Sequence, residues 1–226
     1  MKKIMKIVAL PSCLFGAALV LSSSISYAVD SSSSAIDRQT APSPFTHRLA
    51  SARTAYFKDI QGDRDAHAQA REQFAALAKE RPDDTVVQAY IGSLDLLDAA
   101  RTWAFWNKHV LSQQGLRELD QAVDRDPANL EARFIRAATT WHLPFFFHRR
   151  EQAESDLAYI APRAADAVAK GSLPPQLGAA ALDYYGQVLS EKSDPTAAKT
   201  AYETAVRIDQ SSPGGMDASR RLKQAD

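Results

Sequence analysis

The chain has 226 residues, 45% of them apolar, with 27 Lys plus Arg balanced by 27 Asp plus Glu and a single cysteine. That balance excludes a nucleic-acid binder working through bulk positive charge, and one cysteine excludes an internal disulfide framework. The opening segment 1–28, MKKIMKIVALPSCLFGAALVLSSSISYA, places Lys2, Lys3 and Lys6 before an apolar run and ends on small residues around Ser26 and Ala28, the pattern of a cleaved secretory signal peptide. An uncleaved anchor is the weaker reading, because Pro11 and Gly16 break a run already short for a bilayer. Lipoprotein processing at Cys13 would leave most of that run in place. Cleavage after Ala28 removes three lysines and no acid, so 24 basic residues face 27 acidic ones and the net charge is −3. No basic stripe for nucleic acid or anionic lipid is then expected, no membrane span remains, and the location is secreted or periplasmic.

Residues 29–44 are serine-rich and poor in large apolar groups, so they read as a flexible linker. From residue 45 to 226 the chain reads as all-α, broken by Pro, Gly and Asp corners and without the alternation of strands. Helices are predicted near Phe45–Asp59 and Asp65–Glu80, around Gln61-Gly62-Asp63. Another pair opens at Asp84, carries Gly92 in its first helix and Gly115 in its second, and ends at the Asp126-Pro127 corner. The third begins after Pro127 and continues through REQAESDL, followed by a short helix from Pro162 to Gly171. A fourth turns at Ser193-Asp194-Pro195, and a polar helix, Met216 to Lys223, closes the chain.

Within this pattern Gly115, Leu119 and Ala122 share a helical face ahead of Pro127. Ala70, Phe74, Leu77 and Pro82 repeat the spacing upstream, while Ala198, Tyr202 and Ala205 repeat it downstream with a late Pro213. This resembles the tetratricopeptide repeat, a helix-turn-helix unit of 34 residues, over roughly residues 64–212. The resemblance implies a solenoid of about four helix pairs plus a C-terminal capping helix. Leu182, Tyr185-Gly186 and Leu189 fit it without insertion, whereas Gly92 and Gly115 stand 23 apart instead of 12, leaving an 11-residue insertion around Ala99–His109. The third join is four residues longer than standard and contains Leu143 to Phe147.

The resemblance also implies a groove lined by first helices. It places Ala89, Ser93, Glu131, Phe134, Ala138, Asp183 and Gln187 there, without the cationic clamp of the carboxylate-binding members. A groove of that chemistry suits an extended apolar or basic segment.

Two tracts stand out beyond the repeat. In AARTWAFWNKH, Trp103 and Trp106 share a face on a continuing helix while Phe105 points away. The expectation is that the longer helix overhangs and is covered by Phe145–Phe147, since two neighbouring insertions fill each other's gap. The alternative makes Trp103, Phe105 or Trp106 a partner anchor. In WHLPFFFHRR the aromatics are expected to fill the space between the third and fourth units. The alternative makes Arg149 and Arg150 anion contacts beside an aromatic rim, with Trp141 and His142 as partner-binding candidates.

Nucleophile elbows, phosphate loops and helical zinc spacings are absent from the mature sequence, so no catalytic residue, cofactor or metal is expected. The function expected is non-catalytic binding of another envelope protein, its identity unspecified. A small-molecule-binding accessory, for example to a transporter, with a pocket under the two insertions, is the alternative.

Overall fold

The structure, a computed structural model, describes residues 43–225. The signal peptide and nearly all of the predicted linker lie outside the described residues. Every regular element among the described residues is helical: α1 Pro44–Ile60, α2 Arg64–Glu80, α3 Thr85–Arg101, α4 Phe105–Arg125, α5 Leu130–Thr140, α6 Arg150–Ile160, α7 Ala164–Ala169, α8 Pro175–Glu191, α9 Pro195–Asp209 and α10 Pro213–Ala225. Short 3-10 turns occupy Phe145–Phe147 and Ala161–Arg163.

The chain divides into two compact units between Leu77 and Ala78, inside α2. In the first, Ser43 caps α1 by accepting from the Thr46 backbone N–H at 3.2 Å, with Pro44 opening the helix, so the helical region begins at the end of the predicted linker. Ala66, Ala70, Phe74 and Leu77 form one buried stripe along α2. The Gln61–Asp63 turn uses Gly62 at φ 106, a backbone conformation in which a side chain is strained. His67 Nδ1 and Asp59 Oδ2, 2.7 Å apart, tie the two helices together.

The second unit is built from adjacent helix pairs. Asp84, Asn129 and Asp194 cap α3, α5 and α9, each accepting from a backbone N–H three residues on. α3 packs against α4, α5 against α6 and α8 against α9, while the first helices also meet side by side, α3 on α5 and α5 on α8. Side-chain bonds from Thr85 to Asn129, Tyr90 to Glu131 and Ser93 to Thr139 rise together along both chains, so α3 and α5 run parallel. Their C-terminal ends, and the connections that follow, therefore lie at one end of this unit. First helices start at Thr85, Leu130 and Pro175 and second helices at Phe105, Arg150 and Pro195, so both series recur every 45 residues.

Glycines set the closest crossings. A Cβ on Gly92 would lie 2.7 Å from the Gly115 carbonyl oxygen, and one on Gly115 would lie 2.5 Å from that of Gly92. A Cβ on Gly186 would strike the ring of Tyr202, whose hydroxyl lies 3.2 Å from Ser190 Oγ. The expected break at Pro213-Gly214-Gly215 is instead the first turn of α10. It is glycine because Gly214 sits on the backbone of Ala180 and Gly215 on the Asp209 carbonyl.

Buried charge joins α4, α5 and α6. Asp156 is 1% exposed and receives Arg136 Nε at 2.7 Å, Arg136 Nη2 at 2.9 Å and Arg133 Nη1 at 2.5 Å. Asp120 on α4 receives Arg149 Nη1 at 2.7 Å and Gln152 Nε2 at 3.1 Å. Burial by itself would lower the Arg136 pKa; hydrogen bonding to and the charge of Asp156, then Asp120 and Asp124, more than offset it and hold the guanidinium charged. Two arginines around one buried carboxylate satisfy both of its oxygens, the condition under which such a network is stable.

Candidate functional site

The α5–α6 connection gathers most of the side chains that the sequence singles out. Trp141 caps the C-terminus of α5 and is buried, and its ring meets Tyr184 of α8 at 5.4 Å between centroids. Phe134, two helical turns earlier on α5, meets the same Tyr184 at 6.2 Å. The His142 ring lies tilted against Trp141 at 4.7 Å and also reaches Tyr184, at 6.2 Å. Arg150 opens α6 with its guanidinium 5.3 Å from the Trp141 ring centre, within cation–π range. Carboxylates on both sides hold it there: Glu154 accepts from Arg150 Nε at 3.1 Å and Glu191 of α8 from Nη2. Lys192 completes the group, 2.7 Å from Glu154.

Charge follows from this packing. His142 keeps an exposed edge, but desolvation against the rings, followed by the Arg150 charge, lowers its pKa, with Glu191 acting the other way. Burial would raise the Glu154 pKa, and Lys192 and Arg150 overcome it to keep the carboxylate ionised. The Trp141 indole N–H is buried without a hydrogen-bond acceptor.

Above this cluster the chain forms a tight turn. The Phe147 N–H donates to the Pro144 carbonyl at 2.9 Å and the His148 N–H to the Phe145 carbonyl at 3.0 Å, with His148 at φ 52. The turn presents Phe145, 88% exposed, and Phe146, 61% exposed, with their rings edge to face at 5.9 Å. The tract is therefore split. Trp141 fills the space between α5 and α8 as expected, whereas Phe145 and Phe146 do not, because the proline-led turn carries them clear of the helices. Arg149 is committed to Asp120 and Arg150 to Glu154 and Glu191, so neither guanidinium is an open anion contact.

The first insertion departs further from expectation. The helix does not continue through it: α3 stops at Arg101, Thr102 to Ala104 are irregular, and α4 restarts at Phe105, whose side chain lies outside what the structure describes. Thr102 Oγ1 accepts the Ala104 N–H at 3.3 Å, and Ala104 is buried as the pivot of the break. Trp103 is 90% exposed and Trp106 67%, with rings edge to face at 6.5 Å. Neither is covered by Phe145–Phe147, so the two insertions do not fill each other's gap.

The groove positions are largely spent on the fold. Ala89, Ser93, Glu131 and Phe134 are buried, Glu131 accepting from the Tyr90 hydroxyl. Asp183, 3% exposed, accepts from Gln187 Nε2 at 2.9 Å and from Arg221 Nε of α10 at 3.0 Å. α10 is thus more than a solvating cap, since a buried carboxylate needs donors and α10 supplies one. Burial raises the Asp183 pKa to about 6 despite Arg221, with Asp217 adding to the rise and Gln187 opposing it.

Tyr184 is the central residue that sequence reading passes over. It neighbours Tyr185, which fits the repeat pattern, and nothing in the order of residues marks it as the meeting point of α5 and α8. Two clefts, of about 630 and 320 Å³, open around Asp84 and Arg125, and neither is lined by the two insertions. Among the described residues no group of three or more His, Cys, Asp or Glu side chains is placed to hold a metal ion. No family model, curated protein or solved structure matches this chain.

Proposed function

We propose that this chain is a non-catalytic binding module of the cell envelope, built on tetratricopeptide-like helix pairs, that holds a protein partner at its α5–α6 connection. The observation that carries this reading is the pair of exposed rings, Phe145 and Phe146, on a hydrogen-bonded turn beside the Trp141–Tyr184 cluster. Exposed aromatics on an ordered support lose little conformational freedom on binding, which is why such residues dominate interface energetics. His142, with its exposed edge, and Arg150, half-exposed and held by two carboxylates, provide a polar rim. The signal-like opening segment, with its lysines, apolar run and small residues before Val29, supports an envelope location. The inward commitment of Phe134 and Asp183 favours this connection over the groove.

The test is capture from an envelope extract by the mature protein and by a Phe145→Ser/Phe146→Ser variant. The reading expects one protein held in stoichiometric amount by the parent and lost by the variant, while the variant keeps its helical spectrum and melting temperature. Equal capture by both removes the α5–α6 connection from the interface. A small ligand co-purifying with no protein supports the transporter-accessory alternative.

A further inference from the structure

The junction of α3 and α4 exposes both of its tryptophans. Gly92 and Gly115 touch, so they mark one level of the α3–α4 crossing, and Trp106 stands nine residues beyond Gly115 on α4, about 13 Å at the helical rise. Every residue from Trp106 to Val110 is exposed. Trp106 and Val110, four apart, share a face, and Trp103 leans its ring edge-on against Trp106 at the tip. Val110 is 59% exposed and completes an uncovered apolar face.

Between Asp98 and Glu118 the charged residues of the sequence are all basic. No Asp or Glu occurs from residue 99 to residue 117, a stretch holding Arg101, Lys108, His109 and Arg117, although the chain's average share of acids would place about two there. Lys108 and His109 both lie on the exposed turn. Indole rings combine a large apolar body with one polar N–H, the combination that settles at the boundary between lipid headgroups and acyl chains. No helix among the described residues is long and apolar enough to cross a membrane, so such a contact is peripheral.

We infer that the α3–α4 tip seats this protein on an anionic lipid surface, with Trp103, Trp106 and Val110 entering the headgroup boundary and Lys108 meeting lipid phosphate. The negative balance of the mature chain argues against attraction of the protein as a whole. Seating is therefore local, and it needs the aromatic face as well as the charge. This inference uses none of the residues of the α5–α6 connection, so it stands apart from the protein-binding reading.

The experiment is co-sedimentation of the mature full chain with vesicles of phosphatidylcholine, pure or with one third phosphatidylglycerol, together with tryptophan emission. Trp103 and Trp106 are exposed while Trp141 is buried, so their transfer into lipid shifts the emission to shorter wavelength. The expected result is binding to the anionic vesicles, a loss of about tenfold or more in Trp103→Ser/Trp106→Ser, and reduced binding to anionic vesicles in Lys108→Glu. Phe145→Ser/Phe146→Ser retains vesicle binding, which separates this contact from the partner site. Absence of parental binding, or binding unchanged in the double tryptophan variant, overturns the inference. Loss of the captured protein partner in the tryptophan variant, with no effect on vesicles, assigns the tip to a protein interface and also overturns it.

Discussion

Replacing Gly92 by alanine tests whether the α3–α4 crossing depends on the absence of a side chain. The new methyl group would lie 2.7 Å from the Gly115 carbonyl oxygen, 2.8 Å from Glu118 Cβ and 3.0 Å from the Leu119 backbone nitrogen. Two of those three atoms belong to the α4 backbone, which cannot swing aside. Relief to an ordinary contact near 3.4 Å requires the helices to part by about 0.7 Å, and a gap of ~0.5–1 Å forfeits a quarter to a half of each dispersion contact along the seam. Overpacking of this kind costs about 1–3 kcal/mol, against which alanine returns up to ~1 kcal/mol of helix propensity. Because backbone is what obstructs, the net destabilisation is placed at about 2 kcal/mol. Gly115→Ala should behave alike, with its methyl 2.5 Å from the Gly92 carbonyl oxygen. The double variant should cost clearly less than the sum, since one separation relieves both clashes. Gly178→Ala is the control: its closest neighbour is the tip of Val168, 2.7 Å away, which is not backbone, so its cost should be smaller. Urea unfolding followed by far-UV circular dichroism reads the midpoints at constant slope. A Gly92→Ala protein as stable as the parent would refute the close-crossing argument.

Gly186→Leu drives a side chain into the Tyr202 ring and should cost about 1–3 kcal/mol, while Lys192→Ala, at an exposed ion pair, should stay within roughly 0.5 kcal/mol; equal denaturation midpoints would count against the α8–α9 register. Asp156→Ala leaves Arg136 and Arg133 without their buried acceptor and should destabilise by about 3–5 kcal/mol in chemical denaturation, and a loss below about 1 kcal/mol would mean that water reaches the site. Asp183 holds a proton in the folded state up to about pH 6, above its value of 3.8 in the unfolded chain, so its contribution is full below that lower value and is lost as pH rises through the higher one. Stability of the parent relative to Asp183→Asn should therefore fall across that window by up to about 1.4 kcal/mol per pH unit, whereas parallel stability–pH curves would contradict a raised pKa.

The sequence by itself determined the helical class and most corners of this protein, for reasons that are local. The stripe Ala66, Ala70, Phe74 and Leu77, the caps Asp84 and Asp194, and the prolines at the starts of α8 and α9 act within a few residues of themselves, so their spacing can be read without a partner. Gly92, Gly115 and Gly186 were legible as close crossings, since glycine inside a helix costs ~1 kcal/mol and calls for a packing reason. Where the chain left that local logic, tertiary contacts decided. The break at Thr102–Ala104 interrupts a sequence that could have continued as helix, and whether Trp103 and Trp106 would be covered depended on the distant connection at Phe145–Phe147, which turns elsewhere. The regular recurrence of helix starts arises from unlike additions in successive pairs, a long α4 in one and a nine-residue connection plus α7 in the next, so no repeated motif announces it. Tyr184, Asp156 and Asp183 took their places only when α5, α6, α8 and α10 came together, because a ring contact or a buried carboxylate is defined by its partners: Phe134 for Tyr184, Arg136 for Asp156 and Arg221 for Asp183, each on another helix and beyond the reach of any local pattern.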